Sequence, residues 1–128
     1  MNAIDTVMSY FKERYGADLY QKVSRREIAR ERSITAEESQ QISEKAFEMV
    51  RSACEKYWSA PTNFEEHIFL AWPSAFDLDK YSKWAVEEKS DYIIVSVTGP
   101  DLTTDCRHFY YLKYTESGYK IFRYETSV

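Results

Sequence analysis

Apolar residues recur at helical spacing through the first sixty positions and at strand spacing through the last fifty. Ile4, Val7, Met8, Phe11 and Tyr15 lie three or four apart, which predicts an amphipathic helix over residues 3–15 that stops at Gly16. Ser24-Arg25-Arg26-Glu27 has the capping-box pattern, in which the hydroxyl accepts from the third amide and the glutamate reaches back. It predicts a short helix over about 25–31, with a longer one starting near Asp18 as the alternative. Thr35-Ala36-Glu37-Glu38 repeats that signature. Behind it Ile42, Ala46, Met49, Val50, Ala53 and Tyr57 form the most continuous helical face in the chain, flanked by Phe47, Cys54 and Trp58. This helix should end at Ser59-Ala60-Pro61, because proline restricts the residue before it and has no N–H for the preceding turn.

Residues 62–79 have no clear period, and a short helix or an edge strand fits them equally well. Phe64, Ile68, Phe69, Leu70 and Trp72 are the candidates for burial there, and Trp72-Pro73 ends whatever element holds them. Tyr81–Glu88 alternates as a strand, and Lys89-Ser90 turns it into a second strand, Asp91–Thr98. Ile93, Val95 and Val97 share one face of that strand, Tyr92, Ile94 and Ser96 the other. Gly99–Asp105 reads as a hairpin loop. Two further strands, His108–Thr115 and Tyr119–Glu125, then flank the turn Glu116-Ser117-Gly118. The expected fold is α+β in a single domain, 1–128: a helical half over 1–60, and a half made mainly of strands over 61–128, with the N-terminal helices packed on a curved, mainly antiparallel C-terminal sheet.

Composition narrows the class more than the function. At 128 residues, 44% hydrophobic and 30% charged, the chain suits one soluble domain, and no stretch approaches the ~18–20 apolar residues of a membrane span. The N-terminus lacks the basic start and apolar run of a secretory signal, so the chain is expected to be cytoplasmic. Cys54 and Cys106 have no Cys-x-x-Cys spacing or histidine cluster around them; neither a metal nor a cofactor is expected, and Cys54 reads as a reduced core residue. The aromatic content, 16% with eleven tyrosines, suits half-buried strand faces and protein contacts alike.

The net charge of −4 is unevenly spread. Residues 12–32 carry seven cations against four acids, whereas residues 59–105 carry nine acids against three lysines. An acidic middle disfavours phosphate backbones and favours a basic protein partner. The arginines at 25–32 are interrupted by Glu27 and Glu31, which predicts i,i+4 pairing on an exposed helix rather than nucleic-acid binding.

No catalytic constellation stands out. The histidines are His67 and His108; His67 follows Glu65-Glu66 and reads as a surface residue beside acids, while His108 shares a strand face with Tyr110, Leu112 and Tyr114. If that face lines a cavity, His108 and Tyr110 could orient a ligand or move a proton. Asp77/Asp79 and Asp101/Asp105 lack the spacing of a calcium loop, and the first pair reads as turn chemistry.

The order of elements resembles the nuclear transport factor two-like fold, a cone of curved sheet around helices, and within it the bacterial immunity proteins of polymorphic and contact-dependent toxin systems. The residues that carry the resemblance are Phe109–Phe122, an aromatic strand ending in Leu112-Lys113, a turn with Gly118 and an aromatic-x-Ile strand, together with Trp72-Pro73 before the Tyr81 strand. The resemblance implies a cone fold and an inhibitor that occludes a cognate toxin, such as a basic nuclease. On that reading Asp77, Asp79, Glu87, Glu88, Asp101 and Asp105 steer the encounter and form rim pairs, with Tyr81 and Trp84 as aromatic anchors. Two alternatives share the fold: an isomerase or dehydratase using Tyr57, Asp91, His108 and Tyr110 inside the cone, and an accessory domain that forms a homodimer through its sheet face.

Overall fold

In the computed structural model, residues 1–60, 67–101 and 104–127 are described, with the side chain of Asp101 excepted. Phe64, Glu65, Glu66 and Pro61, which figure in the expectations above, lie outside them. Two helices, α1 (Ala3–Ala29) and α2 (Ala36–Tyr57), pack on an antiparallel meander of four strands: β1 (Ser82–Glu88), β2 (Ile93–Asp101), β3 (Thr104–Thr115) and β4 (Gly118–Ser127). The class is α+β, as expected. Among the described residues no helix is long and apolar enough to cross a membrane.

The first helix does not stop at Gly16. It runs unbroken through Ser24, so the capping-box pattern there lies inside a helix. The reason is a buried stripe that includes charge: Val7, Tyr10, Phe11, Arg14, Ala17 and Asp18 are all buried, with Arg14 and Asp18 each 1% exposed. An apolar-only pattern breaks at those two residues, whereas the structure continues across them because both are fully engaged. The Arg14 guanidinium donates to the Tyr10 hydroxyl at 2.6 Å and to the carbonyls of His67 and Phe69 at 2.9 and 3.2 Å. It also lies over the Phe76 and Phe69 rings at 4.3 and 4.8 Å. One turn on, the Asp18 carboxylate accepts from the Ala71 amide at 3.0 Å and the Ser74 hydroxyl at 2.6 Å. The irregular segment 67–76 is thus fastened to α1 through its own backbone. Ile68 and Leu70 pack half-buried against the core, but Phe69 and Trp72 are more exposed than expected, and Ser74 and Phe76 are the buried residues of this stretch. Trp72 is covered instead by Lys22, at 4.3 Å from the ring centre.

Helix α2 begins where the sequence places it, with Thr35 and Glu38 capping reciprocally. Arg32 grips Glu38 through two bonds of 2.7 Å and, with the Thr35 bonds, holds that carboxyl down at about 2. Among the described residues no ion pair joins the basic run to Glu27 or Glu31. Arg25 crosses to Ser39 and Ser43 on α2, at 2.7 Å each, and so ties the two helices together.

Both outer strands contain a one-residue irregularity. In β1 the register shifts between Ser82 and Ala85, with Lys83 at φ 57°; the exposed carbonyl of Lys83 is held by Arg107 of β3 at 2.6 Å, which also bonds Thr98 and Ser96. In β4 the shift falls between Tyr111↔Arg123 and Leu112↔Ile121, leaving Phe122 as the extra residue. The expected loop over 99–105 is largely strand: Gly99, Pro100 and Asp101 pair with Cys106, Asp105 and Thr104. Pro100 is tolerated because β1 pairs only as far as Thr98, so its missing N–H costs no bond on that side.

At pH 7 Asp18→Ala, which abandons the Ala71 amide and the Ser74 hydroxyl, should cost about 2–4 kcal/mol in urea unfolding. Asp18→Asn keeps an acceptor and should cost less. Burial holds the Asp18 carboxyl above its ordinary 3.8 against the opposing pulls of Ser74, Ala71 and Arg14. A raised carboxyl contributes stability below about pH 3.8 that is lost as pH rises through its folded value, so the Asn variant should gain on the wild type over that rise. Gly16 lies within α1, and a side-chain carbon added there would meet nothing within 4 Å, so Gly16→Ala should raise stability by about 0.5–1 kcal/mol in the same assay.

Candidate functional site

The inward face of the sheet and the 67–76 segment enclose an aromatic cavity of about 140 Å³. Strand alternation supplies one wall: His108 and Tyr110 point inward from β3, opposite Thr126 and Tyr124 of β4. Tyr10 of α1 and Trp58 at the end of α2 form the floor, and His67, Phe69 and Phe76 come from the segment held by Arg14 and Asp18. Pro100 and Tyr81 complete the rim.

His108 is the most heavily engaged polar group here. Its Nδ1 lies 2.6 Å from the Tyr124 hydroxyl, and its Nε2 lies 3.2 Å from the Pro100 carbonyl, 3.4 Å from that of Gly99 and 3.5 Å from Cys106 Sγ. Two carbonyl acceptors at Nε2 favour a proton on that nitrogen, so Tyr124 donates to Nδ1 in the neutral ring. The imidazole stacks on Tyr124 at 17° and meets Tyr81 edge-on. This is a histidine fixed at both nitrogens, and it holds the Gly99–Pro100 backbone over the cavity.

Burial dominates the phenols. Tyr110 is pushed well above its ordinary value by desolvation, reinforced by the neighbouring Tyr10. Tyr10 is raised for the same reason despite the Arg14 charge beside it. Both stay protonated donors at neutral pH. Cys54, also buried and reduced, is raised by desolvation.

Of the four residues expected inside the cone, the structure brings together His108 and Tyr110. Tyr57 points elsewhere: its hydroxyl donates to Glu13, and burial with that bond lifts it to about 12. Asp91 is exposed in the turn between β1 and β2. Among the described residues no carboxylate stands on the cavity wall with them. Tyr10, Trp58, His67 and Tyr124 were not foreseen as cavity residues. His67, expected on the surface, stacks on Trp58 at 5.2 Å.

The expected contact residues form a different region, around β1. Asp77 caps the 3₁₀ turn Leu78–Lys80 by accepting from the Asp79 amide at 3.1 Å, and Asp79 is exposed beside it. Glu87 and Glu88 end β1, both exposed, and Asp105 is exposed at the opposite end of the sheet from them. Asp101 ends β2, and its side chain lies outside the described residues. Tyr81 and Trp84 turn inward. Both rings pack on Phe11, at 5.0 and 5.8 Å, and the Tyr81 hydroxyl donates to the Ala75 carbonyl at 2.5 Å. The outer sheet face carries a half-buried cluster of Tyr92, Tyr111 and Phe122, overlain by Lys113 and Arg123. Among the described residues no three His, Cys, Asp or Glu side chains gather where they could hold a metal ion.

The tightest approach in the site is at Gly99, where a side-chain carbon would fall 2.2 Å from Tyr81 Cδ1. Since Tyr81 is bolted to Ala75 and Phe11, Gly99→Ala should destabilise by about 1–3 kcal/mol by thermal or urea unfolding. Adding Tyr81→Leu should recover part of that loss, a non-additivity that a double-mutant cycle measures.

Comparison of the chain with family models, with curated proteins and with solved structures finds no match.

Proposed function

We propose that this chain is a cytoplasmic immunity protein of the cone-shaped nuclear transport factor two-like class, which neutralises a cognate bacterial toxin by covering its working surface. The observation that carries this reading is the distribution of acids around β1. Asp77 and Asp79 stand where the chain enters the strand, Glu87 and Glu88 where it leaves, and Asp91 in the turn beyond. Among the described residues, Glu87 is the one of these five with a cationic partner, Lys89 at 2.6 Å. Asp77 is half-buried and caps the turn, whereas Asp79, Glu88 and Asp91 are exposed and leave their charge to solvent, where it is cheap to hold and acts at a distance.

A basic toxin, such as a nuclease, would be drawn toward this edge and lose its own counterions on docking. Occlusion of a catalytic surface needs about 800 Å² per partner, and on this reading the contact spans the β1 edge, the 3₁₀ turn and the end of the sheet that carries Asp105. Since the Tyr81 and Trp84 rings serve the core, their role in the contact is to hold β1 and the turn in place, and Val86, 45% exposed, is the apolar group that the edge offers.

Coexpression with the toxin encoded by a neighbouring gene tests this reading. The wild-type chain should protect and copurify. Asp79→Lys with Glu88→Lys, both at exposed positions, should slow association by about tenfold at low salt and weaken protection while leaving the melting curve unchanged. Equal protection and equal association rates for the two proteins would remove the acidic edge from the mechanism, and failure of the wild type to protect would remove the immunity reading itself.

A further inference from the structure

We infer that β1 receives a basic, extended segment of the partner protein as a fifth strand of the sheet. This deepens the preceding reading and rests on it for the identity of the partner as a protein. The Lys89 amide donates to the Tyr92 carbonyl at 2.8 Å and closes the hairpin. In an antiparallel ladder bonded and non-bonded pairs alternate, so Glu87↔Ile94 and Ala85↔Ser96 are the bonded pairs that follow. Val86↔Val95 and Glu88↔Ile93 are the non-bonded ones. Val86 and Glu88 therefore turn their N–H and C=O groups away from β2, toward the side on which β1 has no neighbouring strand among the described residues.

The two halves of this edge differ. At the first, the bulge at Lys83 breaks the register and Arg107 occupies the Lys83 carbonyl. That half is closed to a new strand. The second half, Ala85–Glu88, keeps regular register and is exposed at every residue. Its charge selects the occupant: Glu87 and Glu88 lie on opposite faces of the strand, with Asp91 just beyond, so an incoming strand meets acids whichever face its side chains take. Lysines or arginines alternating with apolar residues match both the acids and the exposed Val86 side chain.

An eight-residue peptide of alternating lysine and valine serves as the probe, with a peptide of equal charge carrying proline at every valine position as its control. Titrated into the ¹⁵N-labelled chain, the first should shift the Val86 and Glu88 amides and slow their hydrogen exchange. Val86→Pro removes an outward N–H without touching the ladder to β2, and should lower affinity for the probe at least about tenfold. Glu88→Pro removes the other outward N–H and serves if the first variant does not fold. Equal binding of the proline control, protection confined to residues outside β1, or a Val86→Pro-sensitive dimer of the chain itself in sedimentation would each overturn the proposal. Toxin protection that survives Val86→Pro but is lost on reversing Asp79 and Glu88 would leave the immunity reading standing and remove the fifth strand.

Discussion

The structure depends on two charges buried one turn apart on α1. Arg14 and Asp18 are almost wholly removed from solvent, a state that costs several kcal/mol per ion unless each lone pair and proton finds a partner. Here those partners come largely from the backbone and hydroxyl groups of a segment that has no regular structure of its own: the carbonyls of His67 and Phe69, the amide of Ala71 and the hydroxyl of Ser74. Each side solves the other's problem. The irregular segment needs its polar backbone satisfied away from water, and the helix needs its charges satisfied inside the core. The consequence reaches the sheet, since the same segment supplies His67, Phe69 and Phe76 to the cavity and the Ala75 carbonyl to Tyr81, whose ring closes over Gly99.

The two bulges decide which side chains meet inside. From the tight turn at Thr115↔Gly118, a regular hairpin would place Tyr110 opposite Arg123 and His108 opposite Glu125. The extra residue at Phe122 moves the partners by one, so Tyr110 faces Tyr124 and His108 faces Thr126. Tyr124 thereby turns inward, its hydroxyl reaches His108 Nδ1, and Phe122 is pushed outward onto Tyr92 and Tyr111. The bulge in β1 has the parallel effect on the residues before it: pairing Ser82 with Thr98 turns Tyr81 inward onto Phe11 and Gly99, while Lys83 takes a left-handed backbone that Arg107 secures.

These facts explain what could be read from residues alone. The α2 cap, its buried face, the inward trio of Ile93, Val95 and Val97 and the four strands follow from local patterns of hydroxyl, carboxylate and alternating apolar residues, all of which act over a few positions. The true length of α1 does not, because its buried face includes Arg14 and Asp18, and their partners in the 67–76 segment lie more than fifty residues away. The reading of Gly16 as a helix end failed for the same reason: a glycine inside a helix costs only about 1 kcal/mol, which the burial of Ala17 and Asp18 in the following turn offsets. The cavity was half legible. His108 and Tyr110 share a face by the two-residue period, but Tyr124 joins them through a bulge that no residue type announces, and His67 through the segment whose course Arg14 sets.

The sheet's two margins are treated differently, and that difference bears on function. The β4 margin is covered by the end of α2, where Trp58 bridges Ile121 and the Ser59 amide donates to the Ile121 carbonyl at 2.8 Å. Among the described residues the β1 margin has no such cover, yet an open edge is a standing invitation to pair with any extended chain. A fold protects such an edge by bulges and charge, and both are present in β1. They are not placed alike: the bulge and the arginine close the first half, while the second keeps regular backbone geometry and carries only charge. A bulge excludes every strand, whereas acids exclude acidic and apolar strands and admit basic ones. An edge guarded by charge alone over Ala85–Glu88 is therefore selective rather than closed, and the selection runs toward a basic strand, as the proposed reading requires.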